Sequence, residues 1–159
     1  MENRKRLIIQ IRIIIAFFIL ALVVSGISAF PIESELQFAV KNISVFPQSL
    51  QGWLIEVYNA IKTTNSQFPF VSYGTDWLAF AHIIIAVAFI GPFIDPVKNI
   101  WVVIFGMIAC VSIIPLALIA GYIREIPFYW QMIDCSFGVF GIIPLWICYR
   151  KTHQLEKLQ

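Results

Sequence analysis

Charge is what this sequence has least of. Only 13% of its 159 residues are Asp, Glu, Lys or Arg, against 60% that are hydrophobic, and a water-soluble domain carries about twice that charged share. The balance excludes an ordinary soluble fold and points to a membrane protein. One apolar assembly uses nearly all the sequence, so a single membrane domain, residues 1–159, is expected. The net charge of +2 lacks the basic footprint of nucleic-acid binding, and nucleic acid is not among the expected partners.

Cysteine and histidine are also scarce, with three of one and two of the other. Cys110, Cys135 and Cys148 all fall inside apolar runs and form no CxxC. That spacing argues against a disulfide framework, a zinc site or a thiol-redox centre, so the cysteines read as small apolar packing residues. Of the two histidines, His82 lies in an apolar run and His153 in the polar tail, so a bis-histidine haem site fails within one chain. No metal and no cofactor is expected.

What the sequence does contain is long hydrophobic runs. Residues 7–30 follow a basic flank, MENRKR, and give about 36 Å of helix, enough to span a bilayer. The run is long for a signal peptide's apolar core and reads as an uncleaved anchor. Further spans are expected over residues 75–94, 100–123 and 126–149. The connections 95–99 and 124–125 are too short for anything but antiparallel neighbours. The expected fold class is therefore an all-α membrane protein, a four-transmembrane-helix bundle.

Residues 31–74 form the one extended polar segment, and its second half is periodic. Leu50, Trp53, Leu54, Val57, Tyr58 and Ile61 recur at helical spacing, with Gln51, Glu56, Asn59 and Lys62 on other faces, which predicts a surface helix over 49–66. Ser49 is the expected N-cap. Such a helix lies on the membrane or covers the mouth of the bundle as a lid.

Cations set the expected topology. Eight of the 11 Lys and Arg residues, namely Arg4, Lys5, Arg6, Arg12, Lys98, Arg150, Lys151 and Lys157, fall on one side, and Lys41, Lys62 and Arg124 on the other. Both termini are then cytoplasmic and residues 31–74 extracytoplasmic. Arg12, inside the first turns of its span, snorkels to the headgroups.

Each span contributes polar groups to the outer half. Counting inward, His82 and Asp134 lie at similar depths, roughly 10 to 12 Å in. Pro115 in the third span withholds a backbone donor from the Val111 carbonyl, beside Ser112. Pro127, Gln131, Asp134, Gly138, Gly141 and Leu145 follow alternating steps of four and three, one stripe facing protein. Thr75, Ala79, His82 and Ala86 make a similar stripe, so His82 and Asp134 are both expected to face inward. A charged aspartate in the bilayer centre costs about 2.5 to 3.5 kcal/mol, so Asp134 is paired or protonated.

Three runs, YGTDWLAFAHI at 73–83, GPFIDPVKNIWV at 91–102 and IDCSFGVFGIIPLW at 133–146, resemble a group of bacterial four-span membrane proteins. The resemblance implies the fold and a location in the bacterial inner (plasma) membrane. It implies no activity and no site.

The functional expectation is a polar outer-half pocket, formed by His82, Asp134 and Gln131 with Asp76 and Ser112, that binds or passes a small molecule or ion, without assigned catalytic residues. Two alternatives stand beside it. One is a membrane-embedded acid–base enzyme using Asp134 and His82 on a lipid-like substrate; the other is an accessory subunit whose polar layer only stitches helices together. The expected partners are the lipid bilayer and a small-molecule or lipid ligand, with a second copy of the chain or a partner protein as open alternatives.

Overall fold

The computed structural model describes residues 2–158. Every regular element among them is helical: α1 (Glu2–Ala29), α2 (Ile32–Lys41), a single 3-10 turn (Ile43–Val45), α3 (Gln48–Gln67), α4 (Pro69–Ala88), α5 (Ile90–Ile94), α6 (Ile100–Ile123) and α7 (Phe128–Glu156). Four stretches, Glu2–Ala29, Pro69–Ile94, Ile100–Ile123 and Phe128–Glu156, are long and apolar enough to cross a membrane. Their surfaces agree with an apolar solvent. Phe17 on α1 is 64% exposed and Leu116 on α6 is 66% exposed, a pattern that water would penalise.

The third span keeps its expected bounds as α6 (Ile100–Ile123), whereas the second and fourth run past theirs for local reasons. The second span begins at Pro69 rather than residue 75, because proline suits the first helical position, where its missing N–H is not needed. The fourth continues to Glu156, because Leu145, Cys148, Thr152 and Leu155 keep up a buried stripe beyond the apolar run. Its Thr152 hydroxyl donates to the Cys148 carbonyl at 2.9 Å. The α3 expectation holds to within a residue at each end, but Ser49 is not its N-cap. Pro47 occupies that position without a side-chain bond.

The chain divides into two compact units. The first comprises α1 as far as Ile19 together with residues from Val87 onward. Its core is built from Ile11 and Ile15 of α1, Phe89 and Pro92 around α5, Val103 of α6, and Leu145 and Cys148 of α7, all fully buried or nearly so. The rings of Phe18 and Phe89 approach to 4.7 Å between centroids. The most extensive helix pairing is α6 with α7. Polar ties close the end of this unit where α5 meets α6. Arg12 donates from Nε to the Phe93 carbonyl at 3.0 Å and from Nη2 to the Ile94 carbonyl at 3.4 Å. Asn99 Nδ2 donates to the carbonyls of Gly91 and Asp95, and Asp95 accepts the Lys98 N–H at 3.1 Å. Lys151 Nζ donates to Gln10 Oε1 at 2.7 Å, joining α7 to α1.

The second unit, Leu20–Ala86, contains the end of α1, the polar segment and α4. The apolar stripe of α3 is covered by α2, with Leu54 buried. At Gly26 the end of α1 approaches α4 so closely that a Cβ would lie 2.8 Å from the Ala79 carbonyl oxygen. That is the small-residue contact by which helices associate in lipid.

Candidate functional site

Gln131, Asp134 and Ser112 belong to the first unit, and His82 and Asp76 to the second.

In the first unit the site is shaped by the turn between α6 and α7. Helix α6 ends with the Arg124 N–H on the Ala120 carbonyl and the Ile126 N–H on the Gly121 carbonyl, both at 2.9 Å. Glu125 between them adopts a left-handed backbone, φ 57°, as the turn geometry requires. Gln131, in the first turn of α7, is buried and donates from Nε2 to the Ile126 carbonyl at 2.8 Å. Its side chain lies on Gly121, where a Cβ would come within 2.6 Å of Gln131 Cγ. Gln131 thus pins the turn. Two turns further along α7, Gly138 backs onto Cys110, whose carbonyl oxygen occupies the space a Cβ would need.

Between those two points α6 and α7 leave a cavity of about 310 Å³. Ile113, Leu116, Ala117, Ala120 and Gly121 of α6 form its apolar wall, Arg124 and Ile126 its end at the turn, and Asp134 of α7 its flank. Asp134 sits in the stripe between Gln131 and Gly138 and is half-buried. Among the described residues its carboxylate has no hydrogen-bond or ion-pair partner. Ser112 is exposed on α6 and is not part of the lining. Arg124 is the residue that sequence reasoning missed, since it was counted only as a cation for topology. The signal was present: Ile113, Ala117, Ala120 and Arg124 follow steps of four, three and four, so Arg124 ends the stripe that walls the cavity.

In the second unit His82 is half-buried, and its ring Nδ1 lies 2.8 Å from the Leu78 carbonyl. A carbonyl only accepts, so Nδ1 carries the hydrogen and a neutral ring keeps Nε2 as an acceptor. Asp76, two turns nearer the start of α4, lines a different cavity of about 320 Å³ with Phe30, Tyr73, Trp77 and Phe80. The rings of Tyr73 and Trp77 meet edge to face at 6.0 Å and 84°, and those of Trp77 and Phe80 at 6.2 Å and 88°. A polar chain fixes where α4 begins. Asn65 of α3 donates to Glu33 Oε2 of α2 at 2.6 Å, and Ser72 of α4 donates to Asn65 Oδ1. No sequence motif marked this chain, because its members lie on three elements.

Chemically, the α6–α7 cavity offers one carboxylate and one guanidinium on an otherwise hydrocarbon surface, the equipment for holding an amphiphile. Among the described residues no three His, Cys, Asp or Glu side chains converge as a metal ion requires. Comparison of the chain with protein-family models, curated proteins and solved structures gives no match.

Proposed function

We propose that the chain is a multi-pass protein of the bacterial plasma membrane that binds a lipid-like small molecule in the cavity between α6 and α7. Its four apolar helices cross the membrane, its termini are cytoplasmic, and the helical segment 31–74 is extracytoplasmic. The cation distribution supports the orientation, and the resemblance of residues 73–146 supports the bacterial membrane.

One observation carries the functional reading: an apolar groove flanked by an unpartnered carboxylate and ended by an arginine. The apolar wall suits an acyl or polycyclic body, Asp134 suits a hydroxyl or amine partway along it, and Arg124 suits an anionic or carbonyl head at the membrane surface. The rival readings fit less well. An accessory subunit calls for a filled polar layer, whereas this groove is open. An acid–base enzyme calls for a second carboxyl, imidazole, thiol or amine beside Asp134, and none is among the residues that line the groove.

The test is photolabelling of the purified chain with a diazirine-bearing fatty acid that carries a mid-chain hydroxyl, with the sites mapped by mass spectrometry. Label is expected on the α6 segment from Ile113 to Ile126 and on the α7 turn around Asp134. Ala120→Phe, which fills the groove, should abolish it, and Asp134→Asn should weaken it in a normally folded protein. Label spread evenly over all lipid-facing helices, unchanged by Ala120→Phe, would sink the proposal.

A further inference from the structure

The geometry points to a second site, independent of the α6–α7 groove: we infer that the pocket at the start of α4 binds a quaternary ammonium group. Tyr73, Trp77 and Phe80 succeed one another on a single face of α4, Phe30 closes the pocket from the chain beyond α1, and Asp76 stands one turn from both Tyr73 and Phe80. The consecutive rings are nearly perpendicular. Tyr73 and Trp77 are 60% and 57% exposed, so ring surface stays open to a guest on that side of α4. The pocket is a wide, open hollow, and its volume of about 320 Å³ accommodates a methylated ammonium together with part of the chain that bears it.

Charge selects the occupant. No lysine or arginine lines the pocket, and among the described residues the Asp76 carboxylate has no ion-pair or hydrogen-bond partner. A neutral apolar guest gains nothing from that carboxylate. A metal ion asks for six or more oxygen ligands, and the lining side chains offer only one carboxylate and the Tyr73 hydroxyl; a primary ammonium would turn N–H donors toward ring surfaces as well as toward those oxygens. A quaternary ammonium has no donors to satisfy. Its charge spreads over methyl groups that lie against ring faces, so it draws on the rings and the carboxylate together. The group is the same whether it comes from a phosphocholine lipid headgroup or from a free osmolyte-like cation.

The experiment is equilibrium dialysis of labelled choline against the full chain in maltoside micelles, which contain no quaternary ammonium. Saturable binding is expected. The uncharged isostere 3,3-dimethylbutan-1-ol should displace the label about tenfold more weakly than unlabelled choline, the margin expected when ring faces and a carboxylate read charge rather than shape. Asp76→Asn and Trp77→Leu should each weaken binding, and Trp77→Phe, which keeps a ring, should restore most of it. Circular dichroism checks the fold of each variant. Glycerophosphocholine competing at least as well as choline assigns the site to a lipid headgroup, and weaker competition assigns it to the free cation. Absence of saturable binding, equal displacement by the isostere, or indifference to both Asp76→Asn and Trp77→Leu would overturn the inference.

Discussion

A methyl group added at Gly138 meets the Cys110 backbone, whereas one added at Gly121 meets the Gln131 side chain, and one at Gly52 meets nothing within 4 Å. These surroundings order three alanine variants. Gly138→Ala should destabilise by about 1 to 3 kcal/mol, the usual cost of overpacking, because a helix backbone cannot step aside. Gly121→Ala should cost less, since Gln131 can swing away, but it should loosen the turn that Gln131 holds. Gly52→Ala, in the interior of α3, should stabilise by roughly 0.5 to 1 kcal/mol through helix propensity alone. Unfolding in mixed micelles measures all three, and an equal response at Gly138 and Gly52 would contradict the packing described. At this scale the sequence was readable where one residue stood out against its neighbours, as Asp134 did in a hydrocarbon run. It was silent where meaning came from company. Arg124 looked like a topology charge until its wall was known, and nothing in the run that holds Tyr73 and Trp77 showed that their rings share a pocket with Asp76.

The four long helices were legible from their apolar runs, and α3 from its period, because helices in lipid are dictated by length and hydropathy. Both ends of α6 were legible too, but other ends were not, since they depend on caps and on packing stripes that outlast the apolar run, as Leu145 to Leu155 shows on α7. The short α5 was folded into the second span, because it continues the same apolar run and serves to end it. Arg12 makes that role testable. It holds the last carbonyls of α5, Phe93 and Ile94, with two guanidinium donors, a fork that an ammonium cannot reproduce. Arg12→Lys keeps the charge and the snorkelling stem, yet amide exchange around residues 93–99 should quicken. Exchange confined to residues near Arg12 itself would mean that the carbonyl contacts carry nothing.

For the molecule as a whole, composition decided the solvent, and the distribution of cations decided the proposed orientation. Cysteine placed at Lys62 in a cysteine-free variant should react with a membrane-impermeant maleimide added outside intact cells, and cysteine placed at Lys157 should react only after permeabilisation. The opposite pattern would invert the topology and turn the polar segment toward the cytoplasm. The Lys151 to Gln10 bond has a consequence for how such a chain is made. Ile11 and Ile15 are buried in the unit that α7 completes, and Gln10, on the same helix, finds its partner on α7. A ribosome that has just added Gln10 must therefore synthesise 141 further residues, the sequence separation of that bond, before α1 acquires that partner. Until then Gln10 waits at the membrane without it, and a chain released before Lys151 should be a substrate for membrane quality control rather than a smaller working protein.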